Sequence, residues 1–513
     1  MADALERLAN AVLMPGYLAP RPPTWVERER EAGLAGVVLF AQNVGSGVVD
    51  ASGGFLVAID EEGGTVTRID SAGGSPLPGA AQLGAVDDVE ATRRVGRMLG
   101  ERAALVGANM VIAPVADVNA NAANPVIGTR AYGADAELVS RHVAATVRGL
   151  ADAGAVAVPK HFPGHGDTAV DSHHGLPVSD ASAADQEALH LEPFRAAIEA
   201  GARVIMTAHL VVPEWGPEPA TLNAQALGRL RALGFDGAIM SDALDMGAVK
   251  DRYGTPGGAV RALAAGCDLL CISNPANPGS SGDDEADFLA VRDAIVAAVR
   301  DGSLARARLE DAAARVAALR ASLAARPVAP EAARPVAPEA ARPVAERSAA
   351  GAELKRSPHP LTPADLPHPL PPADAAFAAD IADRALLRAG SCAPFAGPRR
   401  VLDARAAATW AVAANGGAIA SAIAAGGSVE RWSDAAAVAE GERVVLLTDR
   451  LASAEQRDAV TAFAARASAG VVVNLGVDPL PGAVPASVAI ITTRAASRLG
   501  AEAADRALTA GWA

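Results

Sequence analysis

At 513 residues, half of them hydrophobic, the chain is too long for one ordinary domain and can bury at least one large core. Its formal net charge of -14, with no basic run to offset it, argues against a nucleic-acid or anionic-membrane partner. Three cysteines, Cys267, Cys271 and Cys392, are too few for a disulfide framework and lack zinc-site spacing. They are expected as buried thiols of a reducing compartment.

The start, Met1-Ala2-Asp3-Ala4-Leu5-Glu6-Arg7, shows no signal peptide, and no apolar run is long enough to cross a bilayer. A cytoplasmic protein is the expectation. Short apolar runs then recur at 11–14, 36–40, 55–60, 109–114, 155–160, 203–207, 237–242 and 268–272. Each is followed by a polar or glycine-rich turn and an alanine-rich helical segment. Helical spacing places Val139, His142, Val143 and Val147 on one face, and Leu191, Phe194, Ala197 and Ile198 on another. Eight strands alternating with helices predict an α/β fold, a (β/α)8 TIM-like barrel over residues 1–325. A doubly wound open sheet is the competing arrangement.

Beyond residue 325 the pattern changes. Arg326-Pro327-Val328-Ala329-Pro330-Glu331-Ala332-Ala333 repeats almost unchanged from Arg334 and begins again at Arg342. Two prolines in each octad rule out continuous helix or sheet, so 326–372 reads as a Pro/Ala-rich spacer. A smaller α/β layer domain follows over 373–513, with an amphipathic helix at 375–387 and buried strands at 401–402, 443–448, 470–475 and 488–493. Its glycine pairs form neither GxGxxG nor a P-loop, so no cofactor is expected there.

Titratable residues gather where the barrel strands end. Asp60 closes the third strand, Asp117 follows the fourth with Arg130 beyond it, Lys160 and His161 close the fifth, His209 follows the sixth and Asp242 closes the seventh. In a barrel these ends share one mouth. Asp60, Arg68, Arg130, Lys160 and His161 supply acceptors and donors suited to the hydroxyls and amide of a sugar. The histidines of Lys160-His161-Phe162-Pro163-Gly164-His165-Gly166-Asp167-Thr168 and Asp171-Ser172-His173-His174-Gly175 come without metal-site spacing, so no metal is expected.

A strand-end carboxylate such as Asp242 can attack an anomeric carbon. Locally it reads equally well as the N-cap of a following helix, and the polar mouth tips the balance towards chemistry. Asp171 and His173, two residues apart, can share a side, the carboxylate orienting a ring that transfers protons. An ordinary solvated loop, with His165 or His174 the more important ring, is the alternative.

These segments resemble glycoside hydrolase family 3 β-N-acetylglucosaminidases of the bacterial cell-wall-recycling type. The long histidine motif is the specific match. Asp60-Glu61-Glu62-Gly63-Gly64, Ala113-Pro114-Val115-Ala116-Asp117-Val118, Met206-Thr207-Ala208-His209, Pro219-Ala220-Thr221-Leu222 and Ser241-Asp242-Ala243-Leu244-Asp245-Met246 follow in the family's order. The resemblance implies a retaining hydrolase with Asp242 as nucleophile and His173, paired with Asp171, as acid/base on a mobile loop. It implies that Asp60, Arg68, Arg130, Lys160 and His161 hold a terminal N-acetylglucosamine of a muropeptide or chitooligosaccharide. Phosphate in place of water would make the same site a phosphorylase. A non-catalytic sugar-binding protein and a family 3 β-glucosidase are further alternatives. The family's usual Asp-Gln-Glu-Gly-Gly-Arg reads Asp60-Glu61-Glu62-Gly63-Gly64-Thr65 here, so Thr65 removes a positive charge near the mouth. The C-terminal segment matches two-domain members only loosely.

Overall fold

The structure is a computed structural model, and it describes residues 3–44, 49–170, 175–179, 181–277, 280–324, 369–405, 416–433, 438–439, 442–467, 469–479 and 482–512. Each of the eight expected apolar runs contains a strand. In chain order these are β1 (Leu13–Met14), β2 (Gly36–Leu39), β3 (Leu56–Ile59), then a hairpin of β4 (Glu61–Gly63) and β5 (Val66–Thr67), then β6 (Met110–Val111), β7 (Val156–Ala157), β8 (Val204–Met206), β9 (Ala238–Met240) and β10 (Leu270–Cys271). Outside the hairpin, these strands are wholly buried. Apolar runs without polar alternation are what strands covered on both faces require.

The pairing runs round a ring. β2, β3, β6 and β7 form one parallel sheet, and β8 pairs parallel with β9. Phe162↔Thr207 joins the end of β7 to that of β8, and Met240↔Leu269 joins β9 to β10. β10 pairs back onto β1, and the Val38 N–H donates to the Pro15 carbonyl at 3.0 Å, joining β2 to β1. A doubly wound open sheet would leave β1 and β10 on different edges, so the barrel is the correct architecture. The helices Val89–Leu105 and Ala136–Asp152 pack together outside it, burying Val139, His142, Val143 and Val147 as their spacing requires.

The spacer repeat lies outside the described residues. Next comes the helix Pro372–Arg384, then a six-stranded sheet in the order β11 (Leu387–Ala389), β16 (Ala489–Thr492), β15 (Val471–Asn474), β14 (Val444–Thr448), β12 (Arg400–Asp403) and β13 (Val429–Arg431). All pairings are parallel except β11 with β16. The four central strands match the expected runs. The edge strands β11 and β13 do not, because they bury too little to show an apolar run.

This layer docks on the barrel. Ile381 of the helix Pro372–Arg384 joins the barrel's own apolar core, while Ala378 and Ala382 pack on Leu499 and Ala503. Arg94 reaches across to Asp374 at 2.8 Å and lies over the Phe377 ring. All three cysteines are free and buried, as expected. Among the described residues no helix is long and apolar enough to cross a membrane.

Candidate active site

Strand geometry puts the charged groups in one cleft. Its lining includes Asp60, Glu62, Arg68, Arg130, Lys160, His161, His165 and Asp242, with Gln42, Asn274 and Asn277 as an uncharged amide rim and Phe40, Met206 and Met246 as apolar walls. The cleft offers about 980 Å³ of empty space, its open side included. Roughly 300–1,000 Å³ is the usual range for small-ligand sites.

The charges form one connected chain. Lys160 Nζ lies 2.7 Å from Asp60 Oδ1 and 2.6 Å from Glu62 Oε1. Arg68 Nη2 approaches Asp60 Oδ2 at 3.3 Å. Arg130 grips Glu62 through both fork nitrogens, at 3.0 and 2.8 Å. This is the bidentate geometry that Arg provides and Lys cannot. Arg130 Nη2 also lies 3.4 Å from His161 Nε2, and His161 Nδ1 lies 2.7 Å from Asp117 Oδ2. That network assigns the ring proton to Nδ1, donated to Asp117, and leaves Nε2 to accept.

Burial alone would neutralise such carboxylates. Here the cations win: burial raises Asp60, but Lys160 and Arg68 hold it well below its usual range. Glu62 is likewise held at about 2, with Arg130 and Lys160 outweighing burial. Burial also opposes ionisation of Asp117, and His161 brings it down. Burial, opposed by the Asp117 charge, lowers the His165 ring below the ordinary imidazole value. The cleft is therefore a preorganised set of fixed charges.

Asp117 is fully buried and is not part of the cleft lining. Its Oδ1 accepts the backbone N–H of His161 at 3.2 Å and of His165 at 2.8 Å, so it pins the loop after β7. Gly164 turns that loop at φ +119°, a backbone conformation that favours glycine.

Asp242 follows β9 at the cleft wall, and its Oδ1 accepts the Ala243 N–H at 2.7 Å. It does not cap a helix. The next helix, Gly247–Ala265, starts later and has Met246 at its N-cap. The capping reading is thus removed, and the carboxylate is left facing the cleft. His209, another strand-end group, stays buried behind this loop, with Nε2 2.9 Å from the Ala243 carbonyl and Nδ1 2.8 Å from Thr221 Oγ1. It buttresses Asp242's neighbour and is not among the residues that line the cleft.

Of the expected site residues, Asp60, Arg68, Arg130, Lys160, His161 and Asp242 share the cleft. Asp171 and His173 lie outside the described residues, as does His174. The sequence reading missed Glu62, although one signal was present. On an extended β4 the side chains of Glu61 and Glu62 must point to opposite sides, and Glu62 shares the side of Asp60. The amide rim of Gln42, Asn274 and Asn277 carried no sequence signal.

Fold and site define an α/β barrel whose strand ends gather fixed charges in one cleft, with the Asp242 carboxylate at its wall. The chain belongs to glycosyl hydrolase family 3, whose N-terminal domain profile matches residues 51–319, just over half of it. It is 36% identical over 206 residues to a β-hexosaminidase of Thiobacillus denitrificans, covering 39% of this chain and 57% of that protein. A β-hexosaminidase of Stenotrophomonas maltophilia is 33% identical over 268 residues, covering 49% of this chain and 78% of the relative. The chain therefore spans little more than half the length of the first of these. A solved family 3 β-N-acetylglucosaminidase from Paenibacillus superposes with a TM-score of 0.77 at 26% identity, covering 99% of this chain and 97% of that one.

Proposed function

We propose that the protein is a retaining exo-β-N-acetylglucosaminidase that removes terminal N-acetylglucosamine from muropeptides or chitooligosaccharides in cell-wall turnover. The observation that carries this reading is the position of Asp242, a carboxylate at a strand end in the cleft that Asp60, Lys160, Glu62 and Arg130 line. The family and the names of the relatives point the same way.

Asp242 attacks the anomeric carbon as the glycosidic bond breaks, while His173, oriented by Asp171, passes its proton to the leaving oxygen. Water, deprotonated by the same ring, then releases the sugar from Asp242. Asp60, Arg68, Arg130, Lys160 and His161 hold the sugar's hydroxyls and acetamide through hydrogen bonds to charged groups. Residues 1–325 form the catalytic unit, 326–372 the spacer and 373–513 a C-terminal α/β domain.

Turnover of an aryl N-acetylglucosaminide should vanish in Asp242→Ala, and near-normal rates would overturn the assignment. In His173→Ala, added azide should yield the β-glycosyl azide, formed by displacement of Asp242 from the intermediate. Product analysis on a disaccharide muropeptide with and without inorganic phosphate separates hydrolysis from phosphorolysis.

A further inference from the structure

We propose that the C-terminal domain braces the charged wall of the sugar cleft, with Thr65 as the positioning residue that carries the coupling. The inference deepens the functional reading above, since it takes the Glu62–Arg130 wall to be where the sugar binds.

Thr65 sits in the turn between β4 and β5, three residues after Glu62. It is only 8% exposed. Its Oγ1 accepts the backbone N–H of Ala496, in the segment between β16 and the helix Arg498–Ala510, at 3.2 Å. The same oxygen lies 3.0 Å from Thr129 Oγ1. Thr129 directly precedes Arg130 in the short helical turn Gly128–Arg130, and Arg130 forks onto Glu62. One hydroxyl therefore ties together three pieces: the hairpin that carries Glu62, the turn that carries Arg130, and the second domain.

The residue type matters. An arginine, the family's usual residue at this position, has donors only and could not accept the Ala496 N–H. The exchange to threonine makes this interdomain bond possible. The backbone is close there too: a Cβ on Gly64 would lie 2.5 Å from Gly79 Cα and 3.8 Å from Ala495 Cβ. The Arg130–Glu62 fork depends on the relative position of hairpin and turn, and binding groups tolerate displacements of only about 0.5 Å. A brace across both is thus a control on sugar affinity.

The test compares full-length variants by steady-state kinetics on an aryl N-acetylglucosaminide and by calorimetric titration with N-acetylglucosamine. Thr65→Val should raise KM and Kd about fivefold and leave kcat within about twofold, the pattern of lost uniform binding. Thr65→Ser keeps the hydroxyl and should restore both. Thr129→Val cuts the relay while leaving the Ala496 bond, and should reproduce the Thr65→Val effect; it also decides the matter if Thr65→Val fails to fold. Asp374→Asn breaks the Arg94 ion pair between the same two domains and should leave KM unchanged. Wild-type KM in Thr65→Val, or an equal rise in Asp374→Asn, overturns the brace. Hydrogen exchange over residues 126–131 is read in parallel and needs no sugar, with about tenfold faster exchange expected in Thr65→Val. A wild-type protein without sugar turnover or binding would refute the functional reading, while unchanged exchange in Thr65→Val would refute the brace.

Discussion

Replacing Glu61 with glutamine is expected to stabilise the barrel at pH 8 by about 3 kcal/mol, and by little at pH 4.5. Glu61 points away from the cleft and is fully buried. Its Oε2 accepts from Thr67 Oγ1 at 3.0 Å, the Arg68 N–H at 2.9 Å and the Ile69 N–H at 3.2 Å. Its Oε1 has no hydrogen-bond partner among the described residues. Burial first, and the nearby Asp70 charge second, push its carboxyl from 4.5 up to about 7, and the Thr67 hydroxyl, the Arg102 charge and the Ile69 N–H offset only part of this. Each tenfold change in proton affinity is about 1.4 kcal/mol, which gives the magnitude above.

The direction follows from proton binding. Between pH 4.5 and about 7 the folded protein holds a proton that the unfolded chain has lost, so stability falls as pH rises. Above about 7 the carboxylate is charged in both states and the full penalty remains. Glutamine, the family's usual residue here, keeps an acceptor oxygen for the same donors and never ionises. Urea denaturation of both proteins from pH 4.5 to 8.5 reads the difference. A gain that does not grow between pH 5 and 8, or a loss at pH 8, would refute the reasoning.

Glu62→Gln removes the charge that Arg130 and Lys160 share, and kcat/KM should fall about a hundredfold with the fold intact by circular dichroism. Because Glu62 stays ionised down to about 2, its stabilising contribution is full above pH 4.5 and is lost progressively as pH falls from 4.5 to about 2. Gly166→Ala would place a Cβ 1.9 Å from the Val118 carbonyl oxygen and so displace the loop that holds His165 in the cleft wall. Activity should fall more than tenfold, with a melting temperature several degrees lower by calorimetry.

The sequence by itself determined the periodic features. The runs at 36–40 and 203–207 contain strands because Val37-Val38-Leu39 and Val204-Ile205-Met206 leave no polar face to expose. The charges of Asp60, Lys160 and Asp242 converge because a barrel puts all its strand ends at one mouth. Tertiary structure decided what has no local period. The opposite fates of Glu61 and Glu62 depend on what each side of β4 meets, Arg102 and Asp70 behind it and Lys160 in front. The edge strands Leu387–Ala389 and Val429–Arg431 exist through their neighbours' hydrogen bonds, without an apolar run of their own. Thr65 gains a partner at Ala496, 431 residues further along the chain, and nothing within a few residues of either encodes that contact between the two layers.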